Sequence, residues 1–188
     1  FTDARSKKVI LVSHCILNQN VKIDRCAWYA GAMREVTQTL LDAGVGLLQM
    51  PCPELLTLGL DRQVEKGVLT TIESEDDRVS DRMNEEKPRQ LCAQIARDLV
   101  YQIGQYQHNG FTVLGVLGIN GSPTCGVESG WSNSVDTSGY GVLIQALADE
   151  LAALRIALPR RGVKASQPEQ AVAAALELLE KDNSWRRS

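Results

Sequence analysis

The sequence lacks several features that mark common classes of protein. No apolar run approaches the ~20 residues that a membrane helix needs, so we expect no membrane span. The net charge of −3 includes no basic excess, which argues against binding to a nucleic-acid backbone. The first eight residues are polar and basic with no long apolar region after them, so we expect no signal peptide. No feature of the sequence indicates an oligomeric state.

Neither of the usual phosphate-binding motifs, G-x-G-x-x-G and the P-loop, is present. C-x-x-C pairs are also absent, although the chain has five cysteines: Cys15, Cys26, Cys52, Cys92 and Cys125. An odd number of cysteines argues against the disulfide framework of a small secreted domain. We therefore expect reduced thiols in a cytoplasmic protein, some of them buried and some able to bind a metal.

The hydrophobic pattern predicts an α/β fold. The 188 residues fit one domain with a sizeable core, which we expect to span residues 1–188. Four apolar runs with the character of buried parallel strands lie at residues 9–12, 45–50, 111–119 and 155–158. Helical periodicity is found at residues 27–43, 84–108, 140–154 and 168–181. This alternation predicts a mostly parallel sheet with helices on both faces, a Rossmann- or flavodoxin-like three-layer arrangement.

Three polar segments are expected to be loops: residues 55–61, 65–83 and 128–138. The second of them contains many acidic residues but lacks the spacing and the glycine of an EF-hand. A solvated loop or lid is therefore the expected structure there.

Three of the cysteines directly follow predicted strands. Cys15 follows the first strand, Cys52 follows the second between two prolines, and Cys125 lies in the turn-rich loop after the third. Because the carboxyl ends of parallel strands share one edge of the sheet, we expect the three thiols to converge. The other two cysteines, Cys26 and Cys92, are expected to pack in the core.

Two metal sites are compatible with three converging thiolates. A cubane iron–sulfur cluster held by three cysteines leaves one iron open to a substrate atom. A zinc site would instead close with His14 as the fourth ligand. A flavodoxin-like domain that binds a small molecule without catalysis, with the cysteines merely buried, is the third alternative.

The three cysteine segments resemble the motifs of the thiouracil desulfurase family. Ser13-His14-Cys15-Ile16-Leu17-Asn18, Pro51-Cys52-Pro53-Glu54 and Ser122-Pro123-Thr124-Cys125-Gly126 are similar to its S-x-C-L-L-G, C-P-E and S-P-S-C-G. The resemblance extends from about residue 8 to residue 163. It implies a [4Fe-4S] cluster on the three cysteines, whose open iron takes sulfur from a thiolated pyrimidine and releases it as sulfide.

The resemblance also implies roles for residues around the cluster. Glu54 and Ser122 match motif positions and are candidates for proton transfer and substrate positioning. Asn18, Asn120 and His14 are candidates for substrate contact, because amides and imidazoles both donate and accept hydrogen bonds. Turn formation is the alternative role for the serine and the two asparagines.

The chain departs from the family pattern where a base would be recognised. The usual R-Y-D-G is replaced by Lys22-Ile23-Asp24-Arg25, and Thr124 replaces a serine. The sequence therefore predicts a divergent branch that keeps the cluster ligands and acts on a small thiolated substrate.

Overall fold

The computed structural model describes residues 3–64 and 70–180, and this part of the chain contains six strands and seven α-helices. The strands are β1 (Lys8–Ser13), β2 (Gly46–Met50), β3 (Thr112–Ile119), β4 (Ser129–Ser132), β5 (Val135–Ser138) and β6 (Arg160–Val163). The helices are α1 (His14–Leu17), α2 (Arg34–Asp42), α3 (Pro53–Leu58), α4 (Ile72–Met83), α5 (Glu86–His108), α6 (Val142–Ala153) and α7 (Pro168–Glu180), with a 3-10 helix at Gln19–Val21. No helix in the described residues combines the length and apolar character that a membrane span requires.

Four strands form a parallel sheet in the order β2-β1-β3-β6. The two central strands, β1 and β3, are almost entirely buried because both faces of the sheet are covered. This order follows the flavodoxin-like arrangement, in which ligands bind beyond the strand ends where the order of the strands reverses. That switch point lies between β1 and β3. The predicted α/β fold with a mostly parallel sheet is confirmed.

The longer helices form two pairs. One pair is α2 with α7, and it packs against β2, β3 and β6; the other is α5 with α6, of which α5 packs against β3. The aliphatic side chains of the sheet are enclosed between these pairs, so that Ile10, Leu11 and Leu117 have no exposed surface. The result is the predicted three-layer arrangement.

Two segments expected to be loops are partly helical, at residues 55–58 and 72–83. In residues 55–61 the expectation fails because α3 begins at Pro53, whose fixed φ suits the first turn of a helix. In residues 65–83 it fails because Thr71 and Ser74 form a capping box that starts α4. The expectation for residues 65–69 lies outside the described residues.

The predicted loop at residues 128–138 contains a small antiparallel hairpin, β4 with β5. The hairpin is fastened to α4 because Asp77 accepts hydrogen bonds from the indole N–H of Trp131, at 2.8 Å, and from Ser134. The acidic segment therefore supports the hairpin instead of forming a solvated lid.

Two predicted elements, one helix and one strand, have different boundaries in the structure. The helix expected over residues 27–43 begins only at Arg34, because the preceding segment bonds elsewhere: the Met33 N–H donates to the Ile16 carbonyl. The strand expected at residues 155–158 lies instead at β6, after Pro159. The pairing with β3 starts there because the Pro159 carbonyl accepts from the Val116 N–H at 2.9 Å.

The start of α6 closes on the loop that follows β3. The N–H groups of Val142 and Leu143 donate to the carbonyls of Pro123 and Thr124, each at 3.0 Å. Amides in the first turn of a helix have no partner within the helix, so the loop and α6 satisfy each other. A Cβ at Gly141 would lie 2.5 Å from the Thr124 carbonyl carbon, which leaves room for glycine only.

We predict that Gly141→Ala lowers the free energy of unfolding by about 1–3 kcal/mol, because the added methyl group overpacks the loop. Gly104→Ala is the matched control, since its Cβ meets nothing within 4 Å in the interior of α5. That change should raise stability by about 0.5–1 kcal/mol. Urea denaturation of both variants makes the measurement, and a Gly141→Ala protein as stable as wild type would contradict the prediction.

Candidate functional site

The three strand-end cysteines meet at one cavity. Cys15 lies in α1 directly after β1, Cys52 lies between β2 and α3, and Cys125 lies in the loop after β3. These strands are neighbours in the sheet, and all three thiols line a cavity of about 120 Å³ beyond their carboxyl ends. The cavity is therefore at the switch point where ligands bind in folds of this kind.

The remaining walls of the cavity come from three parts of the chain. They are the segment after β1 (His14, Val21, Lys22, Ile23, Cys26), the region of α3 and α4 (Glu54, Arg62, Asp76), and the loop after β3 (Ile119, Asn120, Gly121, Ser122, Pro123). Pockets for drug-sized ligands occupy roughly 300–1,000 Å³, so this cavity suits a compact group.

A larger cavity, of about 660 Å³, lies between the hairpin and the helices α5 and α6. Pro123 lines both cavities, whereas the larger one has no cysteine or histidine among its lining residues. The chemistry-bearing side chains are thus gathered at the smaller cavity.

Burial keeps the three thiols protonated. It is the main cause that raises the pKa of each, that of Cys52 to about 12. For Cys125 the charges of Cys15 and Cys52 add to the effect. Thiols of this kind are poor free nucleophiles, because the thiolate is the reactive form. A metal that binds them would displace their protons.

Local structure fixes each cysteine in its own way. Cys52 is held as the N-cap of α3 between Pro51 and Pro53, whose rings restrict the backbone on both sides. The Cys15 carbonyl accepts a hydrogen bond from Gln19 Nε2 at 2.6 Å, and Gln19 is almost fully buried. Gln19 was not singled out from the sequence, since an isolated glutamine gives no signal of burial.

The Cys125 loop is a tight turn held by Ser122. The Ser122 hydroxyl accepts from the N–H of Thr124 at 3.2 Å and from the N–H of Cys125 at 3.0 Å. The Cys125 carbonyl in turn accepts from the Ile119 N–H at 2.8 Å. Ser122 lines the cavity, and the alternative of a turn serine describes its observed hydrogen bonds.

A buried chain of hydrogen bonds centres on Glu54. Its Oε1 accepts from the Thr124 hydroxyl at 2.6 Å, and its Oε2 pairs with Arg62 Nε at 3.3 Å. The Arg62 guanidinium is almost fully buried and also donates to the Val21 carbonyl at 2.6 Å and to the Gly59 carbonyl.

This chain joins all three cysteine-bearing segments. Thr124 precedes Cys125, Glu54 lies two residues after Cys52, and the 3-10 helix that contains Val21 follows Cys15 by a few residues. The relative positions of the thiols therefore depend on one buried ion pair. The sequence does not indicate Arg62, because it is a single charged residue between two segments expected to be loops.

The predicted substrate-contact residues divide into two groups. His14 and Asn120 line the cavity. Asn18 does not, because its side chain is exposed and accepts from the Asn20 N–H at the start of the 3-10 helix. Asn120 Oδ1 accepts from the backbone N–H groups of Glu128 and Ser129, so its side chain fastens the loop after β3 to the start of the hairpin.

Asp76 is a second carboxylate on the cavity wall. Burial, with the charge of Glu54 as the next cause, raises its pKa to about 6. The sequence placed Asp76 in a solvated loop, because the acidic residues there were judged together. The helical spacing of the buried Val79 and Met83 is the signal that separates the inner face of α4 from its exposed face.

The cavity fits a compact cluster by its donors. Within residues 3–64 and 70–180, no three His, Cys, Asp or Glu side chains are grouped closely enough to hold a metal ion. A cubane is wider than one ion, so thiols that share it stand further apart. Two buried polar atoms lie beside Cys15: His14 Nε2 has no hydrogen-bond partner, and Ser13 Oγ bonds the Cys125 thiol. Such donors can bond to the sulfurs of a cluster and tune it.

We predict that Arg62→Met lowers the free energy of unfolding by about 3–5 kcal/mol, because Glu54 is left as a buried, unpaired charge. Arg97→Met is the control, since Arg97 faces Glu150 at 3.8 Å on the surface. Its loss should cost at most about 1 kcal/mol. If guanidinium denaturation showed the same loss of unfolding free energy in both variants, the buried ion pair would contribute no more to stability than the surface pair.

We predict a pH signature for Asp76. Its pKa is higher in the folded chain than in the unfolded chain, so the folded state binds the proton more tightly. Wild type should therefore lose stability relative to Asp76→Asn as the pH rises from about 4 to about 6, with a constant difference above that range. Denaturation curves of both proteins at pH 4, 5, 6 and 7 test this, and parallel stability profiles would refute it.

Sequence comparison adds one distant relative. The chain matches no family model and no solved structure. It is 28% identical over 123 residues to "Uncharacterized protein MJ0003" of Methanocaldococcus jannaschii, a match that covers 65% of this chain and 70% of that protein. The name of this relative carries no activity, so the functional inference depends on the geometry of the cysteine cavity.

Proposed function

We propose that Cys15, Cys52 and Cys125 hold a [4Fe-4S] cluster and that the protein is a desulfidase for a small thiolated substrate, such as a thiopyrimidine. The observation that supports this most is the convergence of three strand-end thiols on one small cavity. The protein would be a divergent relative of the thiouracil desulfurases. Reduced cysteines of this kind also favour the cytoplasm.

The donor set determines what the cluster would contribute. Three thiolates leave one iron without a protein ligand, and when bound, that iron would polarise the carbon–sulfur bond of the substrate. The overall change is hydrolytic: a thione and water give a carbonyl and hydrogen sulfide. No oxidant or reductant is consumed.

Glu54 is the candidate that handles protons. Its ion pair with Arg62 requires the carboxylate form, and a carboxylate can accept a proton from an attacking water. The Thr124 hydroxyl occupies its Oε1 and fixes the orientation of the group. A base held in this way is positioned before the substrate arrives.

Two side chains are suited to hold the substrate. Asn120 lines the cavity, and its amide Nδ2 would donate to a thione or carbonyl of a base. Ser122 is less available to bind the substrate, because its hydroxyl oxygen already accepts hydrogen bonds from two backbone N–H groups. Its main role would be to hold the Cys125 loop in shape.

A zinc protein is the second candidate function, and one observation favours it. His14 lines the cavity, and its Nε2 atom is buried without a partner, while Nδ1 is paired with Gln49 at 2.8 Å. A histidine ligand donates its other ring N–H to an acceptor, so zinc binding through Nε2 would require Gln49 to turn its amide oxygen toward Nδ1. Zinc would take three thiolates and one imidazole, and these side chains would have to move closer together, because no three of them in the described residues are grouped closely enough for a single ion.

Anaerobic reconstitution with iron and sulfide separates the two candidates. We predict a brown protein with about four irons per chain and release of sulfide from 2-thiouracil or a related thiopyrimidine. Cys15→Ala, Cys52→Ala and Cys125→Ala should each lose most of the iron and all of the sulfide release. Cys92→Ala is the matched control, because Cys92 is buried in α5 away from the cavity and should keep both.

Two results would contradict the proposal. One is a colourless protein that binds no iron although all three thiols are intact. The other is stoichiometric zinc that resists mild chelation in protein that has never been exposed to oxygen.

A further inference from the structure

A fourth thiol lines the same cavity. The sequence predicted that Cys26 would pack in the core, but the structure places it on the cavity wall with Cys15, Cys52 and Cys125. The fifth cysteine, Cys92, is not among the lining residues. Four of the five cysteines of the chain therefore border a single small space.

The segment that carries Cys26 approaches the cavity from the solvent side. Cys26 is half-buried, and its neighbours Asp24, Arg25, Ala27 and Trp28 are exposed. Residues 22–33 contain no regular helix or strand. In contrast, Cys15 and Cys52 directly follow strands of the buried sheet, and Cys125 lies in the hydrogen-bonded turn after β3. Cys26 is thus carried by a surface loop, and the other three thiols by strand ends and a tight turn.

The loop is fastened at a few points. The Cys26 N–H closes a turn by donating to the Ile23 carbonyl at 3.0 Å, and Arg25 donates to the Thr70 carbonyl at 2.8 Å. The Trp28 N–H donates to Gln19 Oε1 at 3.2 Å, which links the loop to the segment after Cys15. Loops held in this way can shift while the core stays in place.

We infer that Cys26 is a displaceable fourth ligand, which occupies the open iron in the resting protein and leaves when the sulfur of the substrate binds. The inference rests on the proposed cluster. It gives the fourth thiol on the wall a function, and it explains how an open iron would be protected between turnovers.

The exchange balances without a redox partner. One bond to the Cys26 sulfur breaks and one bond to the substrate sulfur forms, and Cys26 leaves with its electron pair. The departing thiolate takes up the proton that the thiol form of the substrate gives up when its sulfur binds. Neither iron nor sulfur changes oxidation state.

Reconstituted, dithionite-reduced protein tests the inference by electron paramagnetic resonance with cyanide as the probe. A ligand that competes with Cys26 binds only to the fraction of molecules in which Cys26 has left. Cys26→Ala should therefore need about tenfold less cyanide than wild type for the same spectral change. Cys92→Ala should titrate as wild type does.

Alkylation of the wild-type protein gives an independent measurement. Iodoacetamide should modify Cys26 in the metal-free chain, should spare it after reconstitution, and should modify it again when cyanide is added, as mapped by mass spectrometry. Cys26 that reacts equally fast in all three states, or cyanide titrations that coincide for wild type and Cys26→Ala, would overturn the fourth-ligand inference alone. Absence of bound iron in wild type would overturn the cluster as well, and iron analysis distinguishes the two failures.

Discussion

The buried ion pair between Glu54 and Arg62 is the constraint on which the geometry of the cysteine cavity depends. Burying two charges is costly, and the cost is met only when every donor and acceptor is satisfied. Here the carboxylate also accepts from Thr124, and the guanidinium also donates to backbone carbonyls. These bonds reach all three cysteine-bearing segments, so the same interactions that neutralise the pair also set the spacing of the thiols.

The sheet determines where the three thiols lie, and the Glu54–Arg62 ion pair determines how far apart they are held. With the order β2-β1-β3-β6, the ends of three neighbouring strands open onto one edge, and each end continues into a cysteine. Their thiols are protonated when no metal is bound, because burial raises their pKa values. A nucleophilic role for any one of them as a free thiol is therefore disfavoured.

The sequence predicts the convergence of the thiols because strand ends follow directly from apolar runs. It does not predict Arg62, because a single charged residue gives no sign that folding will bury it. It misplaces β6 because an edge strand that reads Arg-Arg-Gly-Val has no continuous apolar pattern, whereas residues 155–158 do. It misreads α4 because the buried positions of that helix include Glu75 and Ser80 beside Val79 and Met83. For Arg62 and β6, tertiary contacts without a local signature decide the outcome, whereas α4 has a local signal in its capping box.

The departures from the thiouracil desulfurase motifs fall into two kinds that differ in consequence. Thr124 keeps the hydroxyl that a serine would supply, and in this chain that hydroxyl donates to Glu54. The replaced segment Lys22-Ile23-Asp24-Arg25 behaves differently, because Lys22 and Ile23 line the cavity and the segment leads directly to Cys26. The conserved chemistry would thus sit on the rigid strand ends, while the altered residues sit on the loop that a substrate meets first. A change of substrate with retention of the cluster is the consequence expected of that division.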